Sequence, residues 1–221
     1  HHAGNFLTDI ASLFCSKVFC TSKYSYTAKY KKTVLMPVGV DTEKFKAISY
    51  KLKAKNSILF LGRIAPSKNI HILVEALGLL KKRRVNFTAN IYGDALPKDA
   101  EYFEKLKLRA RELDLENVLK FHAGVPNHET PAIYNTHELC VNLSSSGMYD
   151  KTIFEAMACG CLMLVSNDNL KGQIDERLII TTRKMEEVAT RVSAVLALPE
   201  MEKKKIIREE NAFAETHSLQ I

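Results

Sequence analysis

The sequence lacks any apolar stretch of about 20 residues, the length that a membrane-spanning helix needs. It also lacks the paired CxxC units of a structural zinc site. Its five cysteines are an odd number without the spacing of a disulfide framework: Cys15, Cys20, Cys140, Cys159 and Cys161. The composition, 46% hydrophobic and 26% charged, is typical of a globular chain and excludes disorder. We therefore expect a cytoplasmic protein with reduced thiols.

Tryptophan is absent, and no basic segment is interleaved with aromatic residues, which weakens the case for a platform that stacks nucleic-acid bases. The formal net charge of +7 nevertheless permits an anionic partner. Two basic runs, 81–84 and 203–205, lie on predicted helices, and we interpret both as solvated surface. We expect no nucleic-acid partner, and a polyanion-binding module is the alternative from a different class.

Several motifs that carry known chemistry are missing. Neither the GxGxxG dinucleotide fingerprint nor the GxxxxGK[ST] phosphate loop occurs, and HExxH and GxSxG are also absent. The seven histidines are scattered, and no cluster of His, Cys, Asp and Glu has metal-ligand spacing. We therefore expect no bound metal and no resident cofactor.

Short apolar runs alternate with amphipathic helical stretches from residue 57 onward. Strands are predicted at 58–61, 87–92, 118–121, 139–143, 161–165 and 178–180. Helices are predicted from spacings of three and four, at 70–80, 102–113, 129–135, 151–159, 184–197 and 200–214. This alternation predicts an α/β fold with a parallel sheet of about six strands and helices on both faces. Residues 1–50 differ, with a predicted helix at 6–13 and a strand at 17–21.

Glycines close three of the predicted strands, at Gly62, Gly93 and Gly124. In open parallel sheets, ligands bind outside the carboxyl ends of the strands. The loops that begin at these glycines are therefore the expected ligand site.

The segment after the first of these strands carries two cations. Arg63 follows the strand directly, and Lys68 is predicted to open the next helix behind Ser67 as its N-cap. A cation in the first turn opposes the helix dipole, and a bound anion would reverse that penalty. Arginine offers a planar fork for phosphate oxygens, and lysine adds a mobile point charge. An anion site and a loop with two solvated cations are equally compatible with this pattern.

A second candidate segment is 144–160, where a Ser- and Gly-rich loop feeds a helix N-terminus suited to phosphate. Glu155 lies in that otherwise apolar helix, so its carboxylate must be satisfied. Lys151, four residues earlier, is one possible partner, although this order is the poorer one for an ion pair. A diol such as a ribose is the other.

These segments occur in a characteristic order: VLMPVGVDTEKF (34–45), SILFLGRIAPSKNIHILVEAL (57–77), IYGD (91–94), VLKFHAGV (118–125), IFEAMACG (153–160) and the closing ETHSLQI. In this order they resemble the C-terminal, donor-binding half of family-4 glycosyltransferases with the two-domain GT-B architecture. The resemblance implies a Rossmann-like donor domain at 51–221, preceded at 1–50 by the end of the acceptor domain and the interdomain segment. It also implies a missing N-terminal domain, without which turnover would be poor. The sequence opens with two histidines and no Met, which we interpret as a tag remnant or an excised boundary.

The resemblance also implies roles for individual residues. Arg63 and Lys68 would hold the diphosphate of a UDP or GDP sugar and act as the catalytic cations. Glu155 would bind the ribose hydroxyls, and Val125 would meet the base through its backbone. Further donor contacts are implied for Gly62, Gly93, Tyr149, Asp150, Lys151 and Thr152. Members of the family retain the anomeric configuration, typically without an enzyme-bound metal. An acceptor that is a glycan or lipid-linked, and peripheral membrane contact through the absent half, are compatible with the family.

Two departures from the family pattern bear on the donor. Gly147 stands where the family often has a sugar-binding Glu, eight positions before the ribose Glu, and Tyr149-Asp150-Lys151 replaces the commoner "fG" element. Asp150 or Lys151 could take over sugar recognition, or the donor could differ. A non-catalytic homologue that binds nucleotide or polyanion is a further alternative. The set of Arg63, Lys68 and Glu155 favours a transferase over an epimerase or phosphorylase of the same architecture.

Overall fold

Strands and helices alternate along the computed structural model, which describes residues 4–49, 53–144 and 149–219. Its strands are β1 (Val18–Cys20), β2 (Thr33–Leu35), β3 (Ala54–Leu61), β4 (Thr88–Tyr92), β5 (Leu119–His122), β6 (His137–Asn142) and β7 (Leu162–Val165). Its α-helices are α1 (Phe6–Leu13), α2 (Ile70–Lys82), α3 (Ala100–Glu112), α4 (Thr130–Thr136), α5 (Lys151–Ala158), α6 (Met185–Leu196) and α7 (Glu200–Glu215).

Five parallel strands form the main sheet in the order β5-β4-β3-β6-β7, and β1 pairs with β2 in a separate parallel sheet. The predicted α/β fold with a parallel sheet is confirmed. The sixth predicted strand, 178–180, is reduced to a single bridge between Val165 and Ile179. Leu178 ends a 3₁₀ turn (Glu176–Leu178), so too little extended backbone remains there for a strand.

The two faces of the main sheet bury different sets of side chains, because successive residues of a strand point to opposite sides. On β3, Ile58 and Phe60 pack in a core with α2, α3 and α6. Leu59, between them, packs on the other face with α4, α5 and Ala214 near the end of α7. Cover on both faces explains why this strand is a continuous apolar run rather than an alternating one.

The N-terminal segment contains the helix predicted at 6–13, which the structure begins at Phe6. Asn5 caps it, because the Asn5 side chain accepts a hydrogen bond from the Thr8 backbone amide while the Thr8 hydroxyl oxygen accepts one from the Asn5 backbone amide. The predicted strand at 17–21 is β1. Among the described residues, no helix is both long and apolar enough to cross a membrane.

The five cysteines are free thiols, and only Cys15 is exposed. Burial raises the pKa of Cys159 to about 12 and that of Cys161 to about 11. These two thiols are therefore protonated at neutral pH and are poor nucleophiles.

One of the two basic runs corrects the prediction of a solvated surface. Lys203 on α7 is only 1% exposed, and its Nζ donates to Glu138 Oε1 at 2.6 Å and to the Leu196 carbonyl at 2.7 Å. Glu138 is itself buried on β6. The run of three lysines gives no sign of this burial in the sequence, because only its first lysine points from α7 toward the sheet. The other run is exposed from Lys82 onward, as predicted.

Candidate functional site

The strand order reverses direction at β3, which has β4 on one side and β6 on the other. Loops after two such strands diverge, leaving a crevice at their carboxyl ends where ligands of open α/β sheets bind. A cavity of about 270 Å³ lies there. We call it the switch-point cavity; its lining residues are Phe60, Leu61, Gly62, Arg63, Lys68, Asn142, Asp150 and Thr152.

The loop from β3 to α2 delivers both predicted cations to this cavity. Ser67 does not cap α2, because Pro66–Lys68 forms a 3₁₀ turn and the helix begins only at Ile70. The N-cap position belongs to Asn69, in the left-handed conformation (φ 53°) that asparagine tolerates. The Asn69 side chain donates to the Leu143 carbonyl at 2.8 Å, which fastens the loop to the segment after β6. Lys68 therefore ends a turn that faces β6 rather than opening a helix.

Lys68 and Asp150 form an ion pair in the cavity. Lys68 Nζ lies 2.5 Å from Asp150 Oδ2 and 3.2 Å from Ser144 Oγ. Burial raises the pKa of Asp150, but the charge of Lys68 and hydrogen bonds from Lys68, Asn142 and Thr152 outweigh it, so the pKa lies below its usual value. Asp150 is therefore a carboxylate at neutral pH. Arg63, by contrast, is exposed and has no hydrogen bond or ion pair within the described part of the chain.

A second cavity, of about 320 Å³, adjoins the first and shares Leu61, Gly62 and Arg63 with it. We call it the glycine-lined cavity; its remaining lining residues are Tyr92, Gly93, Asp94, Ala95, Leu96, Gly124 and Val125. Gly93 is required there, since a Cβ would lie 1.9 Å from the Gly62 carbonyl oxygen. The Gly124 amide donates to Asp94 Oδ1 at 2.9 Å, which holds the loops after β4 and β5 together.

Glu155 lies on α5 and is 3% exposed, but it lines neither cavity. Its Oε1 accepts from Asn127 Nδ2 at 3.3 Å, and its Oε2 accepts from the Tyr134 hydroxyl at 3.4 Å. Both bonds are long and come from neutral donors. Burial raises the pKa of Glu155, while the Asn127 bond and the charge of Lys151 lower it less. Lys151, which the sequence offered as a possible direct partner of Glu155, forms no hydrogen bond or ion pair with it in the structure.

The other predicted residues are placed apart. Tyr149 lines a third cavity of about 390 Å³, which lies between the loops after β1 and β2 and the 169–173 segment. Its ring packs against Phe154 and His217, with centroid distances of 5.0 and 5.4 Å. Lys151 is exposed at the start of α5. Gly147 lies outside the described residues.

Sequence reasoning missed three polar residues of this region. Asn142 ends β6 and donates to Asp150 Oδ2 at 3.1 Å, and Asn127 and Tyr134 are the partners of Glu155. For Asn142, the sequence did offer a signal, since this polar residue lies among the apolar residues at the end of β6. Across residues 4–49, 53–144 and 149–219, no three His, Cys, Asp or Glu side chains are grouped so as to hold a metal ion.

The family model described as glycosyl transferases group 1 matches residues 41–211. A curated relative, the GtfA subunit of the UDP-N-acetylglucosamine–peptide N-acetylglucosaminyltransferase of Streptococcus parasanguinis, is 32% identical over 141 residues. This match covers 61% of the chain and 25% of the relative. The chain spans between 25% and 41% of the length of the curated relatives it matches.

Two solved structures share the fold. Anabaena HepE, solved with UDP and glucose, matches with a TM-score of 0.81 at 22% identity, over 95% of this chain and 61% of HepE. The C-terminal domain of the group 1 family glycosyl transferase LpcC from Francisella tularensis matches with a TM-score of 0.71 at 20% identity, over 82% of this chain and all (100%) of that one. At these identities the likeness establishes the architecture.

Proposed function

Because the chain belongs to the group 1 glycosyl transferases, we propose that its α/β domain binds the nucleotide-diphosphate sugar of a retaining sugar transfer. The observation that carries the proposal is the meeting of Arg63 and Lys68 at the switch-point cavity, outside the carboxyl ends of β3 and β6. A UDP sugar is the first candidate donor, since HepE was solved with UDP and the GtfA relative is named for a UDP sugar. A GDP sugar is the second.

The two cations suit the charge that this reaction develops. When the sugar leaves, negative charge grows on the terminal phosphate of the nucleoside diphosphate. Arg63 can hold two phosphate oxygens with its planar guanidinium, and Lys68 adds a point charge. Donors fixed before the reaction stabilise the transition state without reorganising, which is the catalytic role we assign to both residues.

The nucleoside end of the donor is proposed to lie in the glycine-lined cavity. Its glycines allow close approach of a ligand, and the Val125 backbone is available to the base. Glu155 would accept from both ribose hydroxyls. Its Oε1 is covered by Asn127, an exposed residue joined to it by a bond of 3.3 Å, so a ribose hydroxyl can replace that weak donor.

The transfer itself is proposed to need further polypeptide. Residues 1–50 would form the end of the acceptor domain and the interdomain segment, and residues 51–221 the donor domain. The cavity beside Tyr149 has lining residues from both parts. The chain spans less than half of the length of its curated relatives. We therefore expect this chain to bind donor but to transfer sugar slowly or not at all.

A thermal-shift panel with UDP, GDP and ADP tests donor binding. Ligand at about 100 times its dissociation constant stabilises a protein by ~2.7 kcal/mol, or about 5 to 10 °C in Tm for a chain of this size. Arg63→Ala should abolish most of the shift and leave the unliganded Tm unchanged, because Arg63 has no partner among the described residues. Arg208→Ala, which removes an exposed arginine of α7 that lines neither cavity, is the matched control.

The expected pattern is a shift for one nucleoside diphosphate that survives Arg208→Ala and is lost in Arg63→Ala. A protein that none of the three nucleotides stabilises would contradict the proposal. So would a shift of equal size in both variants.

A further inference from the structure

Asp150 already occupies the groups that an incoming diphosphate needs. Its Oδ2 accepts from Lys68 Nζ at 2.5 Å, from Asn142 Nδ2 at 3.1 Å and from Ser144 Oγ at 3.3 Å. The ion pair is well shielded, with side-chain exposures of 23% for Lys68 and 18% for Asp150. In this arrangement, the strongest partner of the proposed phosphate-binding lysine is a carboxylate of the same chain.

The second carboxylate oxygen occupies the N-terminus of α5. Asp150 is the N-cap of that helix, and its Oδ1 accepts from the Thr152 amide at 3.4 Å and from the Thr152 hydroxyl at 3.1 Å. Free amides at a helix N-terminus are the usual backbone partners of phosphate. Here one of them, together with the adjacent hydroxyl, is bonded to Asp150 instead.

We propose that Asp150 is an internal anion that competes with the donor for Lys68 and the N-terminus of α5, and so makes donor affinity depend on phosphate charge. The inference rests on the proposed function, since it concerns the same diphosphate. Because Asp150 offsets the charge of Lys68, Arg63 is the one cation lining the switch-point cavity that has no partner in the described chain. A ligand with more phosphate charge must either displace the Asp150 carboxylate or lie beside it, and the resulting repulsion is smaller for a less charged ligand.

The competition has a graded signature. Repulsion from Asp150 grows with ligand charge, because the interaction of two charges scales with their product. A nucleoside has no phosphate, so Asp150 should not affect its affinity. Asp150 should weaken the binding of a monophosphate and weaken that of a diphosphate further. A nucleotide sugar has one charge fewer than the free diphosphate, so Asp150 should weaken its binding less. Asp150 would thereby favour the donor over the released product.

The test is isothermal titration calorimetry on Asp150→Asn, which removes the charge, keeps the shape and preserves a good N-cap. The first probe is the nucleoside diphosphate, UDP, GDP or ADP, that binds the unaltered protein most tightly. The other probes are the monophosphate, the nucleoside and the diphosphate-glucose conjugate with the same base. Asp150→Ser, also a good N-cap, replaces the first variant if that one is unstable. Asp175→Asn is the matched control, because Asp175 has the same 18% exposure, caps a turn and pairs with Arg177 outside both cavities.

The diphosphate should bind about tenfold more tightly to Asp150→Asn than to the unaltered protein, the monophosphate less so, and the nucleoside equally. Added salt should shrink the difference, because it screens the repulsion. Equal diphosphate affinity overturns the inference alone. Weaker binding to the variant also overturns it, and would make Asp150 the residue that positions Lys68. A diphosphate that binds neither protein overturns the proposed function as well.

Discussion

Replacing Glu155 with glutamine separates the stability of the fold from the recognition of ribose. The carboxylate is 3% exposed and has two neutral donors at 3.3 and 3.4 Å, so burial raises its pKa. A folded-state pKa above the unfolded one means that the group favours folding below the unfolded pKa and loses that contribution as pH rises through the folded pKa. At pH values above the raised folded-state pKa, the ionised Glu155 therefore opposes folding, and Glu155→Gln should raise Tm there.

The same substitution should weaken nucleotide binding. A hydrogen bond to a charged group contributes about 1.5 to 3 kcal/mol, and glutamine retains one acceptor oxygen for the two ribose hydroxyls. Loss of one such bond corresponds to a roughly 10- to 150-fold weaker affinity. Acid should act in the same direction on the unaltered protein, since protonation of Glu155 removes the charge. The affinity ratio between the two proteins should therefore fall toward one as pH is lowered through the raised pKa.

Calorimetry with a nucleoside diphosphate and its 2′,3′-dideoxy analogue measures this directly. Removing both ribose hydroxyls should weaken binding to the unaltered protein about 10- to 150-fold more than it weakens binding to Glu155→Gln, which has already lost one of the two hydrogen bonds. Glu210→Gln is the control, because Glu210 is 1% exposed, also has a pKa raised by burial, and lies on α7 outside both cavities. It should change Tm without changing affinity. An undiminished preference for ribose in Glu155→Gln, or a fall in its Tm, would refute the reasoning.

Two pairs of substitutions test the packing of the fold and of the glycine-lined cavity. Lys203→Met leaves the buried carboxylate of Glu138 unpaired, which should cost about 3 to 5 kcal/mol and lower Tm by roughly 6 to 20 °C; adding Glu138→Gln should recover much of this in a melting experiment, and no recovery would contradict the pairing argument. Gly93→Ala places a Cβ 1.9 Å from the Gly62 carbonyl oxygen and should abolish nucleotide binding in the calorimeter. Gly172→Ala, which meets φ +70° and no neighbour within 4 Å, should lower Tm and leave affinity intact.

The order of elements and the side of the sheet that holds the site could be predicted because both follow from local pattern. A strand buried on both faces is a continuous apolar run, and a helix that covers it has apolar spacings of three and four. Once β3 is recognised in this way, right-handed parallel connections place Arg63 at the carboxyl edge of the sheet. That placement needs no knowledge of side-chain partners.

The partners themselves could not be predicted, because they come from distant parts of the chain. Lys68 meets Asp150 across 82 positions, and Lys203 meets Glu138 across 65. Helical periodicity assigned Lys203 to the surface because a lysine flanked by charged residues is exposed in most helices. The helix start was also misplaced, at Ser67 rather than Asn69, because several polar residues in a row are acceptable caps and the tertiary bond to the Leu143 carbonyl decides among them.

The chain's formal charge of +7 is a poor guide to its site. Among the side chains that line the two cavities, the cations Arg63 and Lys68 are matched by the acidic side chains Asp94 and Asp150. A surface that binds polyanions gathers affinity from many cations, and its binding weakens steeply with salt. A cavity in which one cation is already paired must instead recognise an anion through the fixed positions of a few hydrogen-bond donors. These donors act in a medium that is less polar than water. The arrangement after β3 and β6 therefore favours a small phosphorylated ligand over a polyanion, although the overall charge alone would have favoured the reverse.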